Sequence, residues 1–197
     1  MEIRDTSIYG LKLLQPKPIP DERGWYMRVF SSDIAQRAGI DHTKLFQENQ
    51  MRSRKRTIRG LHMRSELSEA KLVRCAHGEV FDVAVDLRPW SPSFLQWESF
   101  ELDDRENLQI WIPPGCAHGL QALSEVADVC YRVDAFYEPE LAVAVAWDDP
   151  QIGIPWPLPD PILSERDRSA PSLEEIRPRL AEWYGDREPA PEAAGRG

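Results

Sequence analysis

No apolar run in this chain approaches the ~18 residues that a membrane-spanning helix needs. Positive charge is also scarce: 24 Lys and Arg stand against 33 Asp and Glu, for a net charge of −9. That balance excludes a nucleic-acid coat or a basic membrane-binding surface, and leaves room only for a local patch that holds a small anion. Cysteines number three, Cys75, Cys116 and Cys130, without CxxC spacing and each in an apolar or strand-like stretch. An odd set so placed reads as buried free thiols, not as a zinc site. There is no dinucleotide-binding glycine fingerprint, no internal repeat and little helical periodicity. The opening Met-Glu-Ile-Arg-Asp lacks the basic-then-apolar layout of a signal peptide, so the expected compartment is the cytoplasm.

Punctuation, by contrast, is plentiful. Seventeen prolines and eleven glycines break the chain into short segments, as in an all-β protein. Its 197 residues suffice for one domain with a sizeable core. The expectation is a single domain over residues 1–185 and a disordered tail over 186–197, where apolar periodicity is missing.

The most informative stretch covers residues 58–86 and reads as three consecutive strands. In the third, Phe81, Val83, Val85 and Leu87 alternate with Asp82, Ala84 and Asp86. In the second, Lys71 shares a face with Val73 and Cys75; in the first, ideal alternation puts His62 with Ile58 and Gly60. If those faces line one pocket, an imidazole and an ammonium meet in a sheltered space. That pair suits removal of a proton beside a carbonyl, with the cation holding the enolate.

Further strands are predicted around residues 11–14, 25–30, 94–102, 108–112, 127–134 and 141–147. A short helix is capped at Ser31 or Ser32 and ends at Gly39. The basic run Arg52-Ser-Arg-Lys-Arg56 is either a solvated hairpin tip, as charge runs usually are, or an anion-recognition loop. Residues 148–171, rich in proline and aspartate, read as an ordered strap anchored by Ile152, Ile154, Trp156 and Leu158. Ser172-Leu-Glu-Glu175 is a capping box that opens a last helix, which Pro178 is expected to interrupt. Eight or more short strands with few helices indicate an all-β fold, a closed jelly roll or barrel with short peripheral helices.

Pro113-Pro-Gly-Cys-Ala-His118 is similar to the second motif of the cupin superfamily, a group of small jelly-roll β-barrels. Metal-dependent cupins carry His-x-His in their first motif; here Arg64 follows His62 at that spacing, and a cation in a ligand position disfavours a metal oxygenase. The sequence then matches a family in order: Arg-Gly-Leu-His62, Ala-Lys71-Leu-Val-Arg, Ser91-Pro-Ser, the Pro-Pro-Gly-Cys-Ala-His118 run, Cys130-Tyr131, Trp147-Asp-Asp-Pro and Leu163-Ser-Glu-Arg-Asp167. Over nearly the whole chain it resembles the dTDP-4-dehydrorhamnose 3,5-epimerase family.

The resemblance implies roles residue by residue. His62 removes the proton from carbon 3 or 5 of a 4-keto-6-deoxyhexose, and Asp167 orients it. Tyr131 returns a proton on the opposite face, and Lys71 stabilises the enolate oxygen. His118 is a second pocket histidine, while Arg23, Gln47, Asn49 and Arg59 help hold the nucleotide diphosphate. It implies no cofactor and no metal, and a homodimer with strands exchanged or paired between subunits. Elementary chemistry agrees: inversion needs a base near neutrality on one face and a phenol, protonated at pH 7, on the other. A non-catalytic barrel that binds a sugar nucleotide is the alternative, though a binder has no need for base, acid and lysine together.

The sequence departs from the family in places. Arg28 stands where a glutamate is usual at the nucleotide end, and Cys116 and Leu120 stand where phenylalanines are common, which would widen the pocket beside His118. Arg59 and His62, three apart, would point to opposite faces of an ideal strand; either a bulge intervenes or Arg59 serves a neighbouring subunit.

Overall fold

A computed structural model describes residues 1–45 and 47–185; the expected tail at 186–197 lies outside the described residues. The strands, in chain order, are β1 (Glu2–Asp5), β2 (Lys12–Gln15), β3 (Ile19–Asp21), β4 (Gly24–Tyr26), β5 (Gln47–Arg54), β6 (Ile58–Arg64), β7 (Lys71–His77), β8 (Glu79–Asp86), β9 (Trp97–Asp103), β10 (Gln109–Ile112), β11 (Cys116–Ala122), β12 (Val126–Val133) and β13 (Ala142–Ala144). The helices are α1 (Ser32–Arg37), α2 (Glu165–Arg168) and α3 (Leu173–Tyr184). A six-stranded sheet, β1-β2-β10-β7-β12-β5, faces a five-stranded sheet, β13-β6-β11-β8-β9, with antiparallel pairing throughout. The all-β, cupin-type jelly roll expected from the sequence is what forms. The ribbon β3–β4 stands apart as its own two-stranded sheet.

The alternation in β8 sorts its residues as predicted, but the apolar face is not the inner one. Val83, Val85 and Leu87 of β8 pack with Ala117 of β11 against Ile152, Ile154, Leu173, Ile176, Leu180 and Tyr184. These partners come from the strap and α3, so the apolar face of the five-stranded sheet is covered from outside. The other face, carrying Asp82, Ala84 and Asp86, looks into the barrel with Cys116, His118 and Leu120 across the β8–β11 register. Asp86 is fully buried there and accepts hydrogen bonds from Arg88 Nε at 2.7 Å, from Arg88 Nη2 at 2.7 Å and from the Ser91 and Ser93 hydroxyls. This network closes one end of the barrel with its charges paired.

Several local expectations need correction. Pro178 does not interrupt α3: the capping box at Ser172 forms, and the helix runs through to Tyr184. The proline ring removes the bond to the carbonyl of Glu174, an exposed residue in the first turn whose carbonyl water can satisfy. The buried stripe Leu173, Ile176, Leu180 and Tyr184 holds the helix regardless. The strand predicted over 25–30 stops at Tyr26. Most of the basic run at 52–56 is strand, not loop. Arg52 forms a two-point pair with Asp128 at 2.8 and 2.7 Å, and Lys55 at the turn meets Glu125 at 3.1 Å, so two of its four cations face neighbouring carboxylates. All three cysteines are buried free thiols, as expected.

Candidate active site

The two sheets each bring part of one pocket. On β12 and β7, the register pairs Tyr131 with Val73 and Val133 with Lys71, so Tyr131 and Lys71 share the inner face of the six-stranded sheet. On the facing sheet, His118 of β11 is opposite His62 of β6. His62, Lys71, His118, Tyr131 and Arg59 line a single cavity of about 230 Å³. A phenol and an ammonium thus confront an imidazole across the gap between sheets.

Local sequence explains why Arg59 joins His62. The β6–β11 register runs His118–His62 and then Leu120–Arg59, two residues of β11 against three of β6. A bulge therefore intervenes, the first of the two alternatives, and it turns Arg59 to the same side as His62; the shared face with Ile58 and Gly60 expected from ideal alternation is lost. Gly60 makes this possible. Its φ is +131°, and a Cβ there would lie 2.5 Å from Gly119 Cα and 2.8 Å from His118 O. Arg59 is then steadied by donating from Nε to Ser53 Oγ at 3.0 Å and from Nη2 to the carbonyl of Arg52 at 3.2 Å.

His62 Nε2 lies 2.6 Å from Asp167 Oδ1. The strap delivers that carboxylate: Ile162 pairs in parallel with Thr57, Ile58 N–H donates to the carbonyl of Ile162 at 3.0 Å, and α2 begins shortly after. Ser164 caps α2 by accepting from the Asp167 N–H at 3.1 Å. Asp167 is 4% exposed. Burial works against its charged form, yet the hydrogen bond and charge of His62, the Ser164 hydroxyl and the Gly60 N–H together hold the carboxyl below the usual carboxylate range. An ionised acceptor at Nε2 keeps the proton on that nitrogen and leaves Nδ1 as the basic one.

Tyr131 is half-buried. Burial first, then the nearby Glu69 carboxylate, raise its phenol above the ordinary tyrosine range, and Arg59 acts in the opposite sense. Such a phenol stays protonated near neutrality. Lys71 Nζ is 3.2 Å from Glu69 Oε1. His118 Nε2 sits 3.0 Å from both oxygens of Asp82, which is fully buried.

Of the remaining candidates, Gln47 and Asn49 line a side cavity of about 180 Å³ that also meets Glu69, Tyr131 and Tyr137. Arg23 lies apart from both cavities: it is on the β3–β4 ribbon, paired with Asp21 at 2.7 Å and largely exposed. Arg28 flanks the same ribbon, beside Lys17, Asp33 and Arg37. Leu120 lines the pocket, but Cys116 does not; it is buried near Arg88 with its thiol pushed up to about 12, so only one of the two smaller residues widens the space. Asp82 and Glu69 were missed from sequence. For Asp82 a signal existed, since a carboxylate in a central strand is seldom buried without a partner. Among the described residues, no cluster of three His, Cys, Asp or Glu side chains is arranged to hold a metal, and no helix is long and apolar enough to cross a membrane.

The arrangement can deprotonate a carbon acid on one side, reprotonate it on the other and hold an oxyanion between. Comparison with known proteins points the same way. The sequence model of one family, described as dTDP-4-dehydrorhamnose 3,5-epimerase, matches residues 5–175. A protein of that name from Neisseria gonorrhoeae is 43% identical over 168 residues, covering 85% of this chain and 51% of its own length. One from Methanothermobacter thermautotrophicus is 41% identical over 173 residues, covering 86% and 93%. Among solved structures, a dTDP-6-deoxy-D-glucose-3,5-epimerase from Legionella pneumophila, in complex with dTDP-4-keto-L-rhamnose, superposes with a TM-score of 0.86 at 40% identity, over 91% of this chain and 96% of that one.

Proposed function

The chain belongs to the dTDP-4-dehydrorhamnose 3,5-epimerase family, and on that premise we propose how its pocket works. It is an isomerase that inverts carbon 3, carbon 5 or both of a nucleotide-linked 4-keto-6-deoxyhexose. In our reading His62, assisted by Asp167, takes the proton from the carbon next to the ketone. The electron pair left behind forms the enolate, and the charge on its oxygen is met by Lys71. Tyr131 gives its proton to the opposite face of that carbon, the carbonyl re-forms, and solvent resets the imidazolium and phenolate. No electrons enter or leave, so the chemistry calls on no redox cofactor. His118, held by Asp82, contacts the sugar from the same wall as His62.

The observation that carries this reading is the 2.6 Å contact of His62 with Asp167 in a cavity whose facing wall bears Tyr131 and Lys71. Gln47, Asn49 and Arg59 hold the nucleotide diphosphate. Residues 1–185 act as one domain. The protein works as a homodimer: Ile19, Trp25 and Tyr26 on the β3–β4 ribbon are 64%, 57% and 63% exposed, an apolar group that a second copy would cover, and Arg23 on the same ribbon would then serve that copy's site. Its partners are the nucleotide sugar and its own copy, with neither nucleic acid nor membrane, and three buried free thiols suit the reducing cytoplasm.

The test is incubation in heavy water with dTDP-linked 4-keto-6-deoxyhexose, and with the same sugar on other nucleoside diphosphates, followed by NMR. One deuterium is expected at each inverted carbon. No exchange with any of these sugars would sink the proposal. Sedimentation velocity measures the dimer separately.

A further inference from the structure

The ammonium of Lys71 is not free in the pocket wall. Its Nζ is 3.2 Å from Glu69 Oε1, and the other oxygen of that carboxylate, Oε2, lies 3.9 Å from Arg64 Nη1. Arg64 is a fixed post: its side chain is 5% exposed, Nη1 donates to the carbonyl of Phe136 at 2.7 Å, and Nη2 donates to Glu138 at 2.9 Å. Its own carbonyl accepts the buried Tyr184 hydroxyl at 2.6 Å. So a rigid guanidinium, tied to loop, strand and last helix, braces one side of a carboxylate whose other side touches the ammonium.

Glu69 itself has a φ of +74°. A non-glycine residue in that region is held there by its surroundings, and such residues gather at functional sites. Ala70 N–H, the next donor along, is captured by Asp134 at 2.6 Å, which fixes the backbone beside it. Glu69 also lines both the main and the side cavity, with Tyr131 and Tyr137, at the neck between them.

We propose that Glu69 is a positioning residue for Lys71, a carboxylate braced by Arg64 that holds the ammonium at the place where the enolate oxygen forms. This rests on the epimerase reading of the pocket. A flexible four-carbon stem would otherwise let the ammonium sample many positions, and oxyanion stabilisation depends on a cation already in place.

A double-mutant cycle tests this, read as deuterium exchange in the sugar. Glu69→Ala should lower kcat roughly ten- to hundredfold with little change in KM, the scale expected when a reacting group is misplaced by about 1 Å. In a Lys71→Met background the same change should produce no further loss, because the residue it acts through is gone. A second readout needs no turnover. In 15N-labelled protein the restrained Lys71 ammonium should give a lysine side-chain cross-peak, identified by its absence in Lys71→Met and lost in Glu69→Ala. If Glu69→Ala does not fold, Glu69→Gln takes its place in both measurements. Full-rate turnover by the Glu69 variant, an undiminished loss in the Lys71→Met background, or a cross-peak that survives would each overturn the role of Glu69. Wild-type protein without any exchange would instead overturn the epimerase reading.

Discussion

Replacing Asp167 by asparagine isolates the dyad from everything else in the pocket. The side chain keeps its shape, so packing under Ser164 and against β6 is preserved, while the charge opposite His62 Nε2 is lost. Two effects follow. A charge-assisted hydrogen bond at 2.6 Å becomes a neutral one; bonds to charged groups contribute about 1.5–3 kcal/mol against about 1 for neutral pairs. An asparagine can also turn its NH2 toward Nε2, which selects the wrong tautomer and puts the proton on the nitrogen that should act as base. The first effect alone, a difference of about 0.5–2 kcal/mol, corresponds to roughly a 2- to 30-fold loss in rate, and the second adds to it. Both act on the reaction and not on nucleotide binding, since Gln47, Asn49 and Arg59 are untouched, so KM should stay within a few-fold of wild type. The assay is initial-rate deuterium incorporation at saturating sugar nucleotide, with circular dichroism to confirm folding. A folded Asp167→Asn protein that retains more than a third of wild-type kcat would refute the dyad.

Other expectations can be checked with the same tools. Tyr131→Phe should still wash deuterium into carbon 3 but block net inversion at carbon 5, because the base survives while the far-face acid does not; a variant that inverts at the normal rate removes Tyr131 from the mechanism. Burial and Glu69 hold the Tyr131 phenol protonated above the ordinary range, so the alkaline fall in kcat should come above pH ~10; since Arg59 pulls the phenol down, Arg59→Gln should move that limb further up. Asp167 is depressed when folded, so its contribution to stability is complete above its unfolded pKa of ~3.9 and is lost as pH falls through the lower folded value. Acid titration of wild type against Asp167→Asn should show a stability difference that shrinks only below pH ~4; a gap that closes between pH 5 and 7 contradicts it. Gly60→Ala forces a Cβ to within 2.5 Å of Gly119 Cα, and a loss of several kcal/mol, about the scale of severe overpacking, should appear as a much lower Tm.

What could be read from the sequence was whatever depends on short-range pattern. Alternation in β8 and the capping box at Ser172 are local and formed as expected; the short helix also begins after Ser31, though the Ser31 side chain makes no capping hydrogen bond. His62, Lys71, Tyr131 and Asp167 were legible because their order along the chain matches a family, while their convergence needed the fold. The face of His62 could not be read from parity, because a bulge at Gly60 shifts the count by one, and only the close approach of Gly119 on another strand explains it. Asp82 finds its partner His118 on another strand, and its place in a central strand was the only sign of it; Glu69 meets Lys71 two residues on through a backbone turn at a φ of +74° that no sequence pattern announces. Arg23 pairs with Asp21 and, among the described residues, lines neither cavity, a placement that depends on how the β3–β4 ribbon stands off the barrel and not on local pattern.

The reversed polarity of β8 links stability to catalysis. A barrel that binds a charged, hydroxylated ligand must line part of its interior with polar groups, and Asp82, His118, His62 and Lys71 occupy positions that would otherwise add to the core. The five-stranded sheet then needs apolar partners on its other face. Residues 148–184 supply them, laying Ile152, Ile154, Leu173, Ile176 and Leu180 over Val83, Val85 and Leu87. The same segment, pinned by Ile162 to the start of β6, carries Asp167 to His62. Asp149 joins the two jobs, accepting from the N–H of Ile152 in the strap and of Leu173 at the first turn of α3. Loosening this cover at a position far from the pocket, as Leu180→Ala would at about 2–5 kcal/mol, should therefore reduce turnover before the barrel melts, since the dyad depends on a segment whose hold on the sheet is mostly hydrophobic.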